Sequence, residues 1–196
     1  MAGIRLKVPL RKEEVERLAV GDTVYLSGVV YTARDEAHER MLKVLGDGKK
    51  LPFNLSNGVI FHCGPLMKRE KGKWKVVCAG PTTSSRINKL QSEVIEKLGV
   101  RAVIGKGGMD DNVVKAMEKN ATVYLAATGG AAALTAERIR SVEGVFWLDL
   151  GMPEAVWALD VRELGPLTVA IAKGKSLYAN VNSAVAGNLK GIVQNL

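Results

Sequence analysis

The chain of 196 residues is poor in metal-binding and redox side chains. It has two cysteines, Cys63 and Cys78, and two histidines, His38 and His62, with no C-x-x-C pair. A structural zinc site usually takes about four Cys/His ligands at recognisable spacing. A cysteine-held iron–sulfur cluster likewise asks for more thiolates than one copy of this chain owns. Two cysteines cannot form a disulfide framework, and they fit a reducing, cytoplasmic setting. No apolar run approaches the ~18 residues of a membrane span, so no membrane partner is expected. The start, Met1-Ala2-Gly3-Ile4-Arg5-Leu6-Lys7, places charges where a signal peptide has its apolar stretch. Aromatic residues are only 5% of the chain, which leaves a stacking platform for single strands poorly supplied.

What is present is the mixture of a globular α/β protein. Hydrophobic residues are 47% and charged residues 24%, which excludes disorder as the main state. The length suits one domain over residues 1–196, large enough to bury a core without staples. The net charge of +8 is uneven: residues 1–100 carry +7 of it. Its densest run is Lys68-Arg69-Glu70-Lys71-Gly72-Lys73-Trp74-Lys75. Such a run either meets an anionic partner or is a solvated hairpin turn.

Periodicity predicts the elements. Residues 4–10 read as a weak strand and Arg11 to Leu18 as a short helix. Thr23 to Thr32 is rich in β-branched and aromatic residues and reads as a strand. Ala37, Met41, Leu42 and Leu45 mark a helix ending at Gly46. Val59-Ile60-Phe61 and Lys75-Val76-Val77-Cys78 are expected strands flanking the basic turn. Strands at Ala102–Ile104, Thr122–Leu125 and Val145–Leu148 then alternate with helices at Ser85–Leu98, from Asp110-Asp111 through Met117, and at Ala131–Val142. That alternation predicts a parallel sheet in this half, with a late strand at Leu167–Ile171.

Small-residue turns follow the predicted strands. In Ala79-Gly80-Pro81-Thr82-Thr83-Ser84-Ser85-Arg86, hydroxyl residues open a helix, where free N–H groups favour anions. Arg86 on the first turn can clamp a carboxylate with its fork of donors, or lie in water beside an ordinary cap. Ile104-Gly105-Lys106-Gly107-Gly108-Met109 is neither a phosphate loop nor a dinucleotide fingerprint. It leaves Lys106 among glycines at the carboxyl end of a strand, the edge where open α/β sheets bind ligands; the alternative is a tight turn with a solvated lysine. Ala126 to Leu134, with Gly129-Gly130, reads as a close-packing turn. In Ala33-Arg34-Asp35-Glu36-Ala37-His38-Glu39-Arg40, Arg34 precedes a helix and His38 stands one turn further on, as a packed, orienting or catalytic residue.

Taken in order, these motifs resemble the β subunit of two-subunit class I iron–sulfur fumarases and of the related L(+)-tartrate dehydratases, the equivalent of the C-terminal domain in one-chain relatives. The resemblance runs over nearly the whole chain. It implies a swivelling β/β/α domain with a mixed, partly parallel sheet. It implies a hydro-lyase that interconverts fumarate and (S)-malate, or acts on L(+)-tartrate, with a [4Fe-4S] cluster carried by a separate α subunit and none bound by this chain alone. The family's carboxylate-binding positions fall on Arg34, Arg86 and Lys106, and its proton-handling threonine on Thr82, with His38 as a second catalytic candidate. Ser85 stands where many relatives have glycine, and Ile87 where many have methionine. An αβ pair doubled by symmetry is the expected assembly. The competing class is a basic nucleic-acid- or anion-binding module, which would bind with strong salt dependence.

Overall fold

The computed structural model describes residues 3–179. The elements run β1 (Ile4–Lys7), α1 (Lys12–Arg17), β2 (Thr23–Thr32), α2 (Asp35–Gly46), β3 (Val59–Phe61), β4 (Leu66–Glu70) and β5 (Lys73–Cys78). They continue through α3 (Asn88–Leu98), β6 (Ala102–Gly105), α4 (Asp111–Lys119), β7 (Val123–Ala126), α5 (Ala132–Glu137), β8 (Ile139–Phe146), β9 (Val156–Ala172) and β10 (Lys175–Ser176). Strands β1, β2, β3, β6 and β7 lie side by side in that order, each parallel to its neighbour. The chain is therefore mixed α/β with a partly parallel sheet.

Strand β9 turns this sheet into a ring. It pairs antiparallel with β2, from Tyr31↔Ala158 to Thr23↔Thr168, and also with β7, where Leu125 faces Val169. Seventeen residues of strand can span roughly 55 Å, enough to serve both edges. Register shifts along both ladders supply the bending such a path needs.

Side-chain alternation sorts the core into two clusters. Val59 and Phe61, Ala102 and Ile104, and Val123 and Leu125 join Leu26, Val30, Trp157 and Leu159. The intervening Ile60, Val103 and Tyr124 face Ala37 and Met41 of α2, Val94 and Ile95 of α3, and Val113 and Met117 of α4. Burial on both faces explains why these strands read as continuous apolar runs rather than alternating ones. The helices start where the local chemistry tells them to. Asp110 caps α4 by accepting from the Val113 N–H at 3.0 Å. Asp35 and Glu36 occupy the first turn of α2, at the positive end of its dipole.

Several sequence expectations need correction. The helix expected over Ala131–Val142 stops at Glu137, and Ile139–Phe146 is a strand. Ile139, Val142 and Val145 sit opposite Val161, Leu159 and Trp157 of β9, so a long-range ladder overrides the helical reading. The strand expected at Val145–Leu148 ends at Phe146, and Trp147 takes a left-handed conformation with φ 58°. The late strand Leu167–Ile171 is the tail of β9, whose first half the reading missed. The first strand stops at Lys7. The basic turn is flanked by β4 and β5, while Val59–Phe61 lies in the main sheet. The hairpin's Lys68 and Lys75 both pair with Glu70, at 3.5 and 3.6 Å, and Arg69 lies over the Trp74 ring. Among the described residues, no helix is long and apolar enough to cross a membrane.

Candidate functional site

The carboxyl ends of the parallel strands share one edge of the sheet, and the sequence motifs gather there. Arg34 follows β2, His62 to Gly64 follow β3, and Lys106 follows β6. The loop Gly80–Arg86 follows β5, outside the main sheet, yet it is stitched between the ends of β3 and β6. Cys63 and Pro81 form an antiparallel bridge, and Thr83 and Lys106 a parallel one. The Thr82 N–H donates to the His62 carbonyl at 2.6 Å. Lys106 N–H donates to the Thr82 carbonyl at 3.3 Å, and Ser84 N–H to the Lys106 carbonyl at 3.0 Å. Much of the backbone of this loop is thus spent on sheet-like bonding, and the side chains of Thr82 and Arg86 remain for chemistry. The third turn braces the same loop, because Ala79 N–H donates to Ala132 C=O at 3.0 Å. That is the packing role expected of it.

Arg34 is held from behind. Its Nε lies 3.2 Å from Glu154 Oε1, and Glu154 Oε2 accepts from the Glu36 N–H at 3.2 Å. Among the described residues the buried Arg34 Nε makes no hydrogen bond, so the contact with Glu154 is ionic and not a directed N–H···O bond. Gly64 makes the approach possible: a Cβ there would lie 2.9 Å from Arg34 Nη1 and 2.8 Å from Pro153 O. Burial raises the Glu154 carboxyl above its ordinary pKa, and the Arg34 charge pulls it back down.

Arg86 reaches the same corner from the other side. Its Nη2 lies 3.2 Å from Asp35 Oδ2, and Asp35 adjoins Arg34 in sequence. More than half of the Arg86 side chain is exposed. Lys106 is exposed, and among the described residues it has no ion pair. Thr82 is half-buried, and its backbone bonds to His62 and Lys106. The edge therefore presents two carboxylate-anchored arginines, one free lysine and one hydroxyl. That arrangement can hold a small dianion, since fork-shaped guanidinium groups match carboxylates in shape and charge.

His38 has a different setting. It is fully buried, and both ring nitrogens are engaged. Nδ1 lies 2.7 Å from the Arg34 carbonyl oxygen, and Nε2 lies 3.1 Å from Gln91 Oε1. The same Gln91 atom is 2.7 Å from His62 Nε2. His62 Nδ1 is 2.9 Å from Ser84 Oγ, which also accepts from the Tyr124 hydroxyl at 2.9 Å. Among the described residues, the buried Gln91 Nε2 has no partner. Burial pushes both imidazoles down, His62 to about 3. Both are therefore neutral near pH 7.

Sequence reasoning did not single out His62, Ser84, Gln91, Tyr124 or Glu154 as working residues. Ser84 stood inside a quoted motif, and His62 closes an apolar strand with a polar residue. Nothing local marks Gln91, Tyr124 or Glu154. Among the described residues, no group of three or more His, Cys, Asp or Glu could hold a metal ion. Cys63 is buried and its thiol is pushed up by that burial, and Cys78 is half-buried. These residues do not fit an iron–sulfur cluster.

The chain is similar to known proteins over most of its length. It is 47% identical over 186 residues to a Methanocaldococcus jannaschii protein provisionally named L(+)-tartrate dehydratase subunit beta, covering 94% of this chain and 95% of that one. It is 35% identical over 192 residues to the L(+)-tartrate dehydratase subunit beta of Escherichia coli K12, covering 97% and 94%. It is 40% identical over 182 residues to a Geobacillus stearothermophilus protein provisionally named fumarate hydratase class I, covering 92% of this chain and 34% of that longer one. Residues 1–181 match the family model described as the fumarase C-terminus, and the chain belongs to that family.

Proposed function

We propose that this chain is the β subunit of a two-subunit [4Fe-4S] hydro-lyase that reversibly hydrates fumarate to (S)-malate. The observation that carries the reading is the convergence of Arg34, Thr82, Arg86 and Lys106 on one sheet edge, tied together by the Lys106–Thr82 backbone bond and the Arg86–Asp35 pair. An α subunit would carry the cluster, because the described residues here do not fit it. Residues 1–196 act as one unit beside that partner, and a symmetric doubling of the αβ pair is the assembly proposed.

The roles of the side chains follow from charge and placement. Fumarate and malate are dianions. Arg34 and Arg86 orient one carboxylate or both through paired N–H donors, and Lys106 adds a point charge. Thr82 handles the proton at the carbon next to the one bearing the hydroxyl. A neutral threonine is a weak base, so the cations around it must favour the ionised oxygen. Dehydration of malate removes that proton and the hydroxyl, and hydration of fumarate returns them.

L(+)-tartrate is the second reading, favoured by the names of the M. jannaschii and E. coli relatives, which match along nearly their full lengths. Both substrates are dianions and would use the same charged frame, and none of the four side chains selects a second hydroxyl. A nucleic-acid role is weakened by the hairpin, whose basic side chains are partly occupied by Glu70 and Trp74.

The test is anaerobic reconstitution with the iron-loaded α subunit. The chain alone should show no hydro-lyase activity and no cluster absorbance. The complex should turn over, with a higher kcat/KM for fumarate and (S)-malate than for L(+)-tartrate. Turnover by the isolated chain, free of host fumarase, refutes the split site. A preference for tartrate reassigns the substrate and keeps the frame.

A further inference from the structure

We infer that Gln91 is a positioning residue for the proposed hydro-lyase site: its side-chain NH2 group donates to Nε2 of both His38 and His62, and this buried junction holds the backbones of Arg34 and Thr82 in place. The inference deepens the reading above and rests on it for the identity of the reaction.

The Arg34 carbonyl can only accept, and it lies 2.7 Å from His38 Nδ1, so that nitrogen carries a hydrogen. A neutral His38 then has a bare lone pair on Nε2. The Gln91 amide atom facing it at 3.1 Å must be a donor. The oxygen and nitrogen of a glutamine amide have the same shape, so the hydrogen-bond network decides which of them faces the histidines. With oxygen there, two lone pairs would oppose each other, or His38 would have to be a buried cation in the first turns of α2, near the positive end of its dipole. The amide nitrogen would also lie buried with no acceptor. With nitrogen there, its two hydrogens serve two acceptors, His38 Nε2 at 3.1 Å and His62 Nε2 at 2.7 Å.

The remaining protons follow. His62, bare at Nε2, carries its hydrogen on Nδ1 and donates to Ser84 Oγ at 2.9 Å, and Tyr124 donates to the same oxygen. Each ring also fixes one strand of the site. His38 grips the carbonyl of Arg34, the residue before α2. His62 receives the Thr82 N–H on its own carbonyl. Ser84 is bonded through its N–H to the Lys106 carbonyl. Gly105 leaves room for the assembly, since a Cβ there would collide with Ser84 Oγ. One glutamine on α3 thus sits between the elements that hold Arg34, Thr82 and Lys106, and its side-chain hydrogen bonds go to the two histidines.

The experiment has one arm that needs no substrate. Nitrogen-15 spectra of the full-length chain, labelled at histidine, should show both imidazoles neutral with hydrogen on Nδ1. Gln91→Glu, which has the same shape but only acceptors, should move the His62 hydrogen from Nδ1 to Nε2 and add one at Nε2 of His38, whose Nδ1 keeps its hydrogen against the Arg34 carbonyl. Gln91→Met, which removes the amide, should speed solvent exchange of the Thr82 amide. In the reconstituted complex, Gln91→Met removes both hydrogen bonds and should lower kcat/KM by roughly tenfold, because Arg34 and Thr82 are then less well placed. Its loss should combine with that of Thr82→Val to less than the product of the two, which a structural role alone would not cause. Hydrogen on Nε2 of either wild-type ring overturns the inference, as does unchanged Thr82 exchange or fully multiplicative losses. A wild-type complex inactive on both substrates, with the tautomers and the exchange as expected, removes the hydro-lyase reading alone.

Discussion

The amide of Thr82 donates to the carbonyl of His62 at 2.6 Å, which makes the loop after β5 a continuation of the sheet at the end of β3. The hydroxyl of Thr82 is therefore carried on a backbone that the sheet fixes. If that hydroxyl handles the proton, Thr82→Val keeps the shape and the backbone bond and removes the chemistry. The kcat of the reconstituted complex should fall about 10²- to 10⁴-fold, with KM changing far less. Steady-state kinetics decide it, with melting temperature as the folding control. A kcat near the wild-type value would move the proton to a residue of the α subunit.

Lys106 has no ion pair among the described residues, so its charge is available to a ligand. Lys106→Ala should remove one charge-assisted hydrogen bond, worth roughly 1.5–3 kcal/mol. That corresponds to about a 10- to 150-fold loss in kcat/KM. The protein should fold and still bind the α subunit. Unchanged kinetics would leave the lysine loop as a solvated turn.

Glu154 has two jobs, and both can be measured. It lies against Arg34 Nε, and it accepts the Glu36 N–H at the start of α2. Glu154→Ala should cost about 1 kcal/mol of stability, as the loss of a helix cap does. The freed Arg34 should also raise KM for the dicarboxylate. Urea titration gives the first effect and initial rates the second. An altered stability with an unaltered KM would confine Glu154 to capping.

His62 should make the fold acid-sensitive. Its pKa is about 3 in the folded chain, against 6.5 for a free imidazole, first because it is buried and then because His38 is close. Between those values the unfolded chain takes up a proton that the folded chain refuses. The stability is whole above pH 6.5 and drains as pH falls toward 3, by a total on the order of 5 kcal/mol from this group. His38 shifts in the same direction. Urea midpoints at pH 7, 6, 5 and 4 should fall steadily. His62→Gln should flatten that slope by about 1.4 kcal/mol per pH unit. Equal slopes for the two proteins would show that His62 is not the acid-sensitive group.

The legible parts of this molecule share a cause. β3, β6 and β7 were readable because strands buried on both faces must be apolar throughout, β2 because β-branched and aromatic residues crowd it, and α2 to α4 because one apolar face recurs at helical spacing. Arg34, Thr82, Arg86 and Lys106 were readable because each stands in a short motif next to the end of such an element. The stretch Ala131–Val142 misled because its alanines favour a helix, whereas Ile139 and Val142 answer to β9 some twenty residues further on.

By itself, the amino-acid sequence determined which segments are strands and helices at the centre, and which charged and hydroxyl side chains stand at their ends. Those properties depend on neighbours within a few residues. Only the tertiary structure decided that β9 closes the sheet into a ring, that Glu154 backs Arg34, and that Gln91 joins His38 to His62. Each of these pairs is separated by 29 residues or more along the chain. A single polar residue on a helix carries no periodic signal, and its partner is set by how the helix lands on the sheet.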